Sequence, residues 1–435
     1  MQVFKFGGAS IKDADAVKNV ASILERFKNQ PLVIIVSAMG KTTNALEEVV
    51  AAHMQQSGKA NALLNVVKEN HYALMRGLFA PEDSVFADVN DTFVEAEWML
   101  DESPSNSYDY TYDQIICVGE LVSSKIVSAY LNKIGLKTHW LDARDVVITD
   151  NTYREGWVNW DKTKPNALKI VPPLLESGGF VLTQGFIGST TENFTTTLGR
   201  EGSDYSAAIF SFCLDAESMT IWKDVPGVLN ADPRLFENTL KLDRLSYREA
   251  IEMTYYGAQV IHPKTIKPLQ NKSIPLYVKS FLDPEAPGTE ISSDTEETYP
   301  PIIVVEKNQS LLHIITTDYS FVAEQHMARL FAELAGLRIF VNMMQNTAIS
   351  FSICVPTIPE RIESFVKGVS DEFKVKREDG LELITIRHFN EETVANLKKG
   401  KIVLFEEKIR NTLQMVVKTV PTIERRAVEL ERAKG

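Results

Sequence analysis

Lysine, arginine and paired glycines are the residues of this chain whose spacing can do chemistry. The stretch Thr195-Thr196-Thr197-Leu198-Gly199-Arg200-Glu201-Gly202-Ser203-Asp204-Tyr205-Ser206 sets two glycines around an arginine, then a hydroxyl–carboxylate pair, then the apolar run Ala207-Ala208-Ile209-Phe210. Ser203 or Asp204 can cap the helix that follows, and the free N–H groups of its first turn form an anion site. Gly199 and Gly202 let backbone approach a ligand, while Arg200 offers a planar two-pronged donor to a carboxylate or phosphate. A plain helix start needs neither the hydroxyl-rich lead-in nor the arginine, so capping explains only part of the segment. A second signal stands at the N-terminus. Met1-Gln2-Val3-Phe4-Lys5-Phe6 alternates like a strand, and Gly7-Gly8 breaks it before an amphipathic helix over residues 13–27. Lys5 beside two glycine amides puts one cation and a backbone cradle at one point. Alone this junction is common; paired with the first segment, it points to bound phosphate.

The elements that must hold these residues alternate. Leu32-Val33-Ile34-Ile35-Val36 is a continuous apolar run, as in a buried parallel strand. Residues 44–100 read as a helical excursion, 101–109 as a loop, and 110–134 as one long helix carrying Glu120. Further strands fall at 137–141, 180–186 and 218–222, the last ending at the Lys223-Asp224 loop. Repeated alternation of this kind predicts an α/β fold, a mainly parallel sheet sandwiched by helices. Residues 283–301 are acidic and proline-punctuated and read as a connecting segment. Beyond them, strands at 310–316, 339–344 and 348–355 with helices at 321–335 and 360–372 make one β-α-β-β-α unit. A shorter second unit has a strand at 382–387, a helix at 391–398 and strands near 402–405 and 412–417, before a charged helix at 423–434. The two are diverged repeats of one small α+β sandwich.

The chain has 435 residues, which suggests several domains at the usual ~100–200 residues each. Its net charge of −12 argues against nucleic acid or an anionic membrane as main partner. An anionic ligand must therefore be drawn by a local basic site, as Lys5 and Arg200 would supply. Cys117, Cys213 and Cys354 are widely spaced, each in an apolar stretch, and read as core thiols rather than a disulfide or zinc framework. No signal peptide is seen before Met1-Gln2-Val3, and no apolar run reaches the ~20 residues that span a bilayer. The expectation is a reducing, cytoplasmic compartment.

Four motifs then occur in a fixed order: Lys5-Phe6-Gly7-Gly8-Ala9-Ser10, the run over residues 198–206, Trp222-Lys223-Asp224-Val225-Pro226-Gly227 with Asp232-Pro233-Arg234, and Tyr256-Gly257-Ala258-Gln259-Val260-Ile261-His262-Pro263. Together they closely resemble the aspartate kinases of the amino acid kinase family, over residues 1 to about 290. The remainder resembles, less clearly, the ACT-type regulatory tail of those enzymes. The resemblance implies a catalytic domain over 1–290, a linker over 291–302, an ACT-like domain over 303–378, and a shortened second one with a terminal helix over 379–435. It implies ATP-dependent phosphorylation of the side-chain carboxylate of L-aspartate to 4-phospho-L-aspartate, on the route to lysine, threonine and methionine.

By the same resemblance Lys5, Gly8 and Asp204 are catalytic, with Lys5 over the phosphates at the transfer point. Ser37, Thr43, Glu120, Arg200 and Ser203 bind the amino acid: Arg200 clamps its α-carboxylate, and Glu120 meets its ammonium. On sequence alone Glu120 reads as a helix-surface glutamate. Lys5, Phe6, Gly7, Gly8, Lys223, Asp224, Leu229, Arg234, Gln259 and Val260 surround ATP. The family often has an aromatic where Leu229 stands, so base stacking is weaker or comes from Trp222. Val225-Pro226-Gly227-Val228 has the composition of a type II turn. His262 reads as structural, since a carboxylate nucleophile needs no general base. Mg²⁺ is expected to arrive with ATP, and no metal ligands are assigned. A homodimer through the ACT-like domains is the default, because open sheet edges are closed by pairing between subunits.

Gly40-Lys41-Thr42 imitates the end of a Walker loop, but Ile35 stands where that motif needs a glycine. The competing expectations are another amino acid kinase, acting on glutamate, acetylglutamate or a carbamate, and a non-catalytic amino-acid sensor. A sensor would be expected to lose Lys5 or Arg200, and both are present. For regulation, Gln325, Asn342 and Ala348 stand where effector-sensing relatives carry a glycine and two acids, which predicts weak or absent inhibition by lysine.

Overall fold

A computed structural model describes residues 1–104, 107–258, 260–293, 298–318 and 320–420. The chain divides into two compact units, Met1–Val228 with Lys241–Ile251 and Gln259–Glu297, and Leu229–Leu240 with Glu252–Ala258 and Thr298–Gly435. This interleaves segments that a linear boundary near residue 290 would keep in the first domain.

The first unit contains β1 (Gln2–Phe6), α1 (Ala14–Glu25), β2 (Leu32–Val36), α2 (Thr42–Met54), α3 (Ala60–Arg76), α4 (Val85–Asp101), α5 (Tyr108–Lys133) and β3 (Thr138–Leu141). It continues with α6 (Trp160–Glu176), β4 (Phe180–Gln184), a hairpin of β5 (Ile187–Ser189) and β6 (Thr195–Thr197), α7 (Gly202–Cys213), β7 (Ser218–Lys223) and β8 (Arg244–Ser246). It ends with α8 (Tyr247–Tyr255, which runs on into the second unit's segment), α9 (Pro263–Asn271), β9 (Leu276–Ser280) and β10 (Thr289–Ser292). The sheet order is β3-β4-β2-β1-β7-β9-β10-β8, and every pairing is parallel except β9 with β10. Residues 283–288 are therefore the connection within an antiparallel pair, not an interdomain linker, and Ile291 and Ser292 finish a strand.

Strand alternation sets the site. Phe4 and Phe6 join the core formed with α1 to α5. Lys5, one residue out of phase, emerges on the other face of the sheet, where α7 packs against β1. Helix α5 is long and apolar enough to cross a membrane, contrary to the expected lack of such a run, yet most of it is buried against α2, α4 and the sheet. It is the central core helix.

The second unit is built on one six-stranded antiparallel sheet, order β12-β13-β11-β14-β16-β15. Its elements are β11 (Ile302–Thr316), α10 (Glu324–Gly336), β12 (Met343–Asn346), β13 (Ser350–Pro356), α11 (Pro359–Gly368), β14 (Phe373–Arg387), α12 (Glu391–Lys398), β15 (Lys401–Ile409) and β16 (Thr412–Thr419). The two expected repeats are present but not separate. Strands β11 and β14 each run 15 residues and serve both, with register shifts between Glu306 and Leu311 marking the change of repeat. Asn342 donates to Glu306 and Gln309, both at 3.1 Å, and burial raises the Glu306 pKa. Arg387 pairs with Glu252 at 3.1 Å within this unit. The charged helix expected at 423–434, and Tyr319, lie outside the described residues.

Candidate active site

Lys5, Ser37 and Lys223 stand at or just past the carboxyl ends of β1, β2 and β7, where open parallel sheets bind ligands. The loops there are tied together. Ser37 N–H donates to Phe6 O (3.2 Å), Gly185 N–H to Val36 O (2.8 Å) and Gly40 N–H to Gly8 O (3.0 Å). A Cβ on Gly8 would lie 2.7 Å from the Ala38 carbonyl, so only glycine lets the β1 and β2 loops approach this closely. A Cβ on Gly7 would come 3.4 Å from Lys5 Nζ, so the missing side chain keeps room beside the ammonium.

Lys5 and Asp204 meet at 2.6 Å, both side chains largely buried. Asp204 thus positions the cation instead of capping the helix. The N-cap of α7 is Glu201, in the left-handed region at φ 54°, with no side-chain cap. Ser203 and Asp204 lie inside the first turn, and neither is the N-cap. Ser203 packs on Gly185, whose Cβ would fall 2.5 Å from that of Ser203. Arg200 is exposed on the loop before the helix, and Thr43 is half-buried in the first turn of α2.

The hydroxyl-rich lead-in serves the scaffold, not a ligand. Thr195 accepts from Arg144 (3.2 Å), Thr196 bonds Thr149 (2.6 Å) and Thr197 donates to Asp113 (2.7 Å). Asp113 was missed from sequence. Its carboxylate also accepts the N–H groups of Thr197 (2.8 Å) and Arg154 (2.9 Å), pinning β6 and a neighbouring turn under the Gly199-Arg200 loop. Burial pushes its pKa up to about 6, against the lowering effect of those bonds.

Glu120 is not on the surface. It is only 3% exposed, and its Oε2 has no hydrogen-bond partner among the described residues. Burial pushes its pKa up to about 8, opposed by a hydrogen bond from the Ala38 backbone. A buried carboxyl oxygen of this kind calls for a partner that the described residues do not supply.

Of the residues the resemblance assigns to the nucleotide, Lys223 Nζ donates to the Val260 carbonyl at 2.8 Å, and Asp224 is exposed. Phe6 is buried and stacked on Trp222, with centroids 5.9 Å apart and planes 4° apart, so it can offer a ligand only main chain. Trp222 itself is 2% exposed and cannot stack on a base. Gly227 has φ 150°, away from the ~80° of a type II turn, and a Cβ there would lie 2.5 Å from Thr289 Oγ1. Leu229 and Arg234 belong to the second unit, where Arg234 makes a bidentate pair with Asp232 (3.0 and 2.7 Å). Gln259 lies outside the described residues. His262 caps α9, its Nδ1 accepting from Lys264 N–H at 3.2 Å, the structural role expected of it. Among the described residues no three His, Cys, Asp or Glu side chains converge as metal ligands.

A cation held at a strand end beside two glycines, next to a helix start without a side-chain cap, is an arrangement suited to a bound anion. A model of the amino acid kinase family matches residues 1–280, and the chain belongs to that family. Within it the chain is similar to aspartokinases. It is 30% identical to the lysine-sensitive aspartokinase 3 of Escherichia coli, over 88% of this chain and 86% of that one. It is 32% identical to chloroplastic aspartokinase 2 of Arabidopsis thaliana, over 81% of this chain and 65% of that one. The crystal structure of E. coli aspartokinase III in complex with aspartate and ADP matches with a TM-score of 0.81 at 26% identity, over 96% of each chain. The same enzyme in complex with lysine and aspartate also gives 0.81, over 98% of this chain and 96% of that one.

Proposed function

We infer that this protein transfers the γ-phosphoryl group of ATP to the side-chain carboxylate of L-aspartate, giving 4-phospho-L-aspartate and ADP. The observation that carries the choice of acceptor is Glu120. A buried carboxylate oxygen without a partner asks for a cation, and the free ammonium of an α-amino acid supplies one. An N-acetylated acceptor has no such charge. Arg200, exposed on its loop, takes the α-carboxylate in a two-pronged grip. With both ends of the amino acid held, the side chain points toward Lys5, which supplies orientation at the reacting centre.

One oxygen of that carboxylate attacks the γ-phosphorus as the bond to the bridging β–γ oxygen breaks, and the electron pair leaves with ADP. The nucleophile is already ionised, so no general base is needed. The obstacle is repulsion between two anions, and Lys5 meets it. Asp204 fixes the ammonium at the end of β1, beside Gly7. Charge placed in advance where it develops is the largest contribution to phosphoryl transfer. Gly7, Gly8 and the Phe6 main chain border the phosphates, with Lys223, Asp224 and Val260 toward the rest of the nucleotide, and Leu229, Arg234 and Gln259 assigned there by resemblance. Mg²⁺ comes in on the phosphates. Pairing of the second unit's sheet edges between two copies makes a homodimer, and the cytoplasm is the compartment.

ADP release measured with L-aspartate, L-glutamate, N-acetyl-L-aspartate, N-acetyl-L-glutamate and carbamate tests this. The expected result is turnover with L-aspartate at least a hundredfold above the others. Faster turnover with either acetylated acid would overturn the role given to Glu120.

A further inference from the structure

We propose that Glu201 is a positioning residue that couples the amino-acid half of the site to its nucleotide half. The proposal rests on the assignment of Arg200 to aspartate and of the Val260 segment to ATP. Glu201 adopts φ 54° and ψ 28°, the left-handed region where an L residue is strained and glycine is not. Glycines on both sides, Gly199 and Gly202, show that the loop has no shortage of them. Ten other non-glycine residues among those described share a positive φ, so the conformation alone assigns nothing, and the contact of the side chain carries the argument.

Glu201 Oε2 accepts the backbone N–H of His262 at 2.8 Å, a contact across 61 positions of sequence. His262 fixes the start of α9, and two residues before it the Val260 carbonyl holds Lys223 Nζ. Arg200 is the residue immediately before Glu201. One carboxylate thus ties the loop bearing the amino-acid clamp to the segment that borders the nucleotide. Its charge would repel both anionic substrates if it faced them; engaged with the His262 amide, it acts as a strut.

Ordering the Arg200 loop around aspartate therefore holds residues 260–263 ready for the nucleotide, and by linkage the nucleotide tightens aspartate by the same factor. Calorimetric titration of aspartate into the full-length protein, with and without saturating ADP and Mg²⁺, measures that factor. The expected value is fivefold or more for wild type. Glu201→Gln, whose amide oxygen still accepts the His262 N–H, should keep at least half of it. Glu201→Gly and Glu201→Ala should bring it to within 1.5-fold of unity. Glu201→Gly should also melt at or above Glu201→Ala, because glycine takes φ 54° freely, so lost coupling cannot be ascribed to a damaged fold. A wild-type factor of one, a Glu201→Gly factor equal to wild type, or a Glu201→Gln factor as low as Glu201→Gly overturns the strut. Arg200→Lys separates the two claims: if it leaves aspartate affinity unmoved, the Arg200 assignment fails, whatever the Glu201 variants do.

Discussion

Replacing Glu120 by glutamine should convert a pH-dependent substrate grip into a weak, pH-flat one. The carboxyl is buried, with its pKa pushed up to about 8, so at pH 7 it is about nine-tenths protonated in the empty site. Aspartate's ammonium favours the anion, so binding expels that proton. Breaking a buried ion pair costs about 3–5 kcal/mol. Ionising the carboxyl first at pH 7 takes back about 1.4 kcal/mol. The net, about 1.6–3.6 kcal/mol, predicts a KM for aspartate raised roughly 15–400-fold in Glu120→Gln, with the KM for ATP little changed. Calorimetry at pH 7 in two buffers of different ionisation enthalpy should count about 0.9 proton released per aspartate bound by wild type, and none by the variant. Wild-type affinity should rise nearly tenfold per unit between pH 6 and 7 and level off above 8. The fold's own stability moves the other way. A raised carboxyl pKa favours the folded state most below the unfolded value of about 4.5, and that contribution is lost as pH rises toward 8, about 1.4 kcal/mol per unit. Glu120→Gln should lack this slope. Proton release by the variant equal to that of wild type, or an unchanged KM for aspartate, would refute the reasoning.

Lys5→Met should cut turnover by a thousandfold or more, since loss of one preplaced charge costs several kcal/mol of barrier, on the order of 4, and should also lower the melting temperature, because Asp204 is left buried without its partner; more than a tenth of wild-type turnover in the folded variant sinks the role. Arg200→Lys should raise the aspartate requirement far more than that for ATP, because an ammonium cannot reproduce a bidentate clamp; a shift in the ATP requirement alone would move Arg200 to the nucleotide. Lysine should inhibit weakly, since Asn342 carries no charge and is already engaged by Glu306 and Gln309. Half-inhibition below about a millimolar, some 4 kcal/mol of binding, contradicts this.

How far the sequence could be read depended on which physical signal each residue carried. Lys5 was legible because a charge one position out of phase in an apolar strand must face away from the core side occupied by Phe4 and Phe6. Glu120 entered the site only through the resemblance, because glutamates are usually exposed, yet its setting held the answer. From Ile115 to Val127 nearly every residue of α5 is buried, so no solvent face existed for it. Asp113 lay in the same helix and was overlooked for the same reason. Capping left the threonines at 195–197 unexplained, because hydroxyl patterning does not say which partner a hydroxyl meets. Trp222 looked available for stacking because β7 is buried on both faces, so alternation gave it no direction. The long strands β11 and β14 were read only in part. The polar run Glu306-Lys307-Asn308-Gln309 imitates a loop, whereas it is the bulge where one strand passes from repeat to repeat.

The central claim is that this site phosphorylates the side-chain carboxylate of free L-aspartate. Hydroxylamine added to a reaction of purified protein, ATP, Mg²⁺ and L-aspartate traps an acyl phosphate as its hydroxamate, and mass and NMR analysis tell which carboxyl was activated. The account predicts the β-hydroxamate of aspartate, formed in step with ADP and absent with Lys5→Met. An α-hydroxamate, or ADP released with no hydroxamate at all, would contradict it.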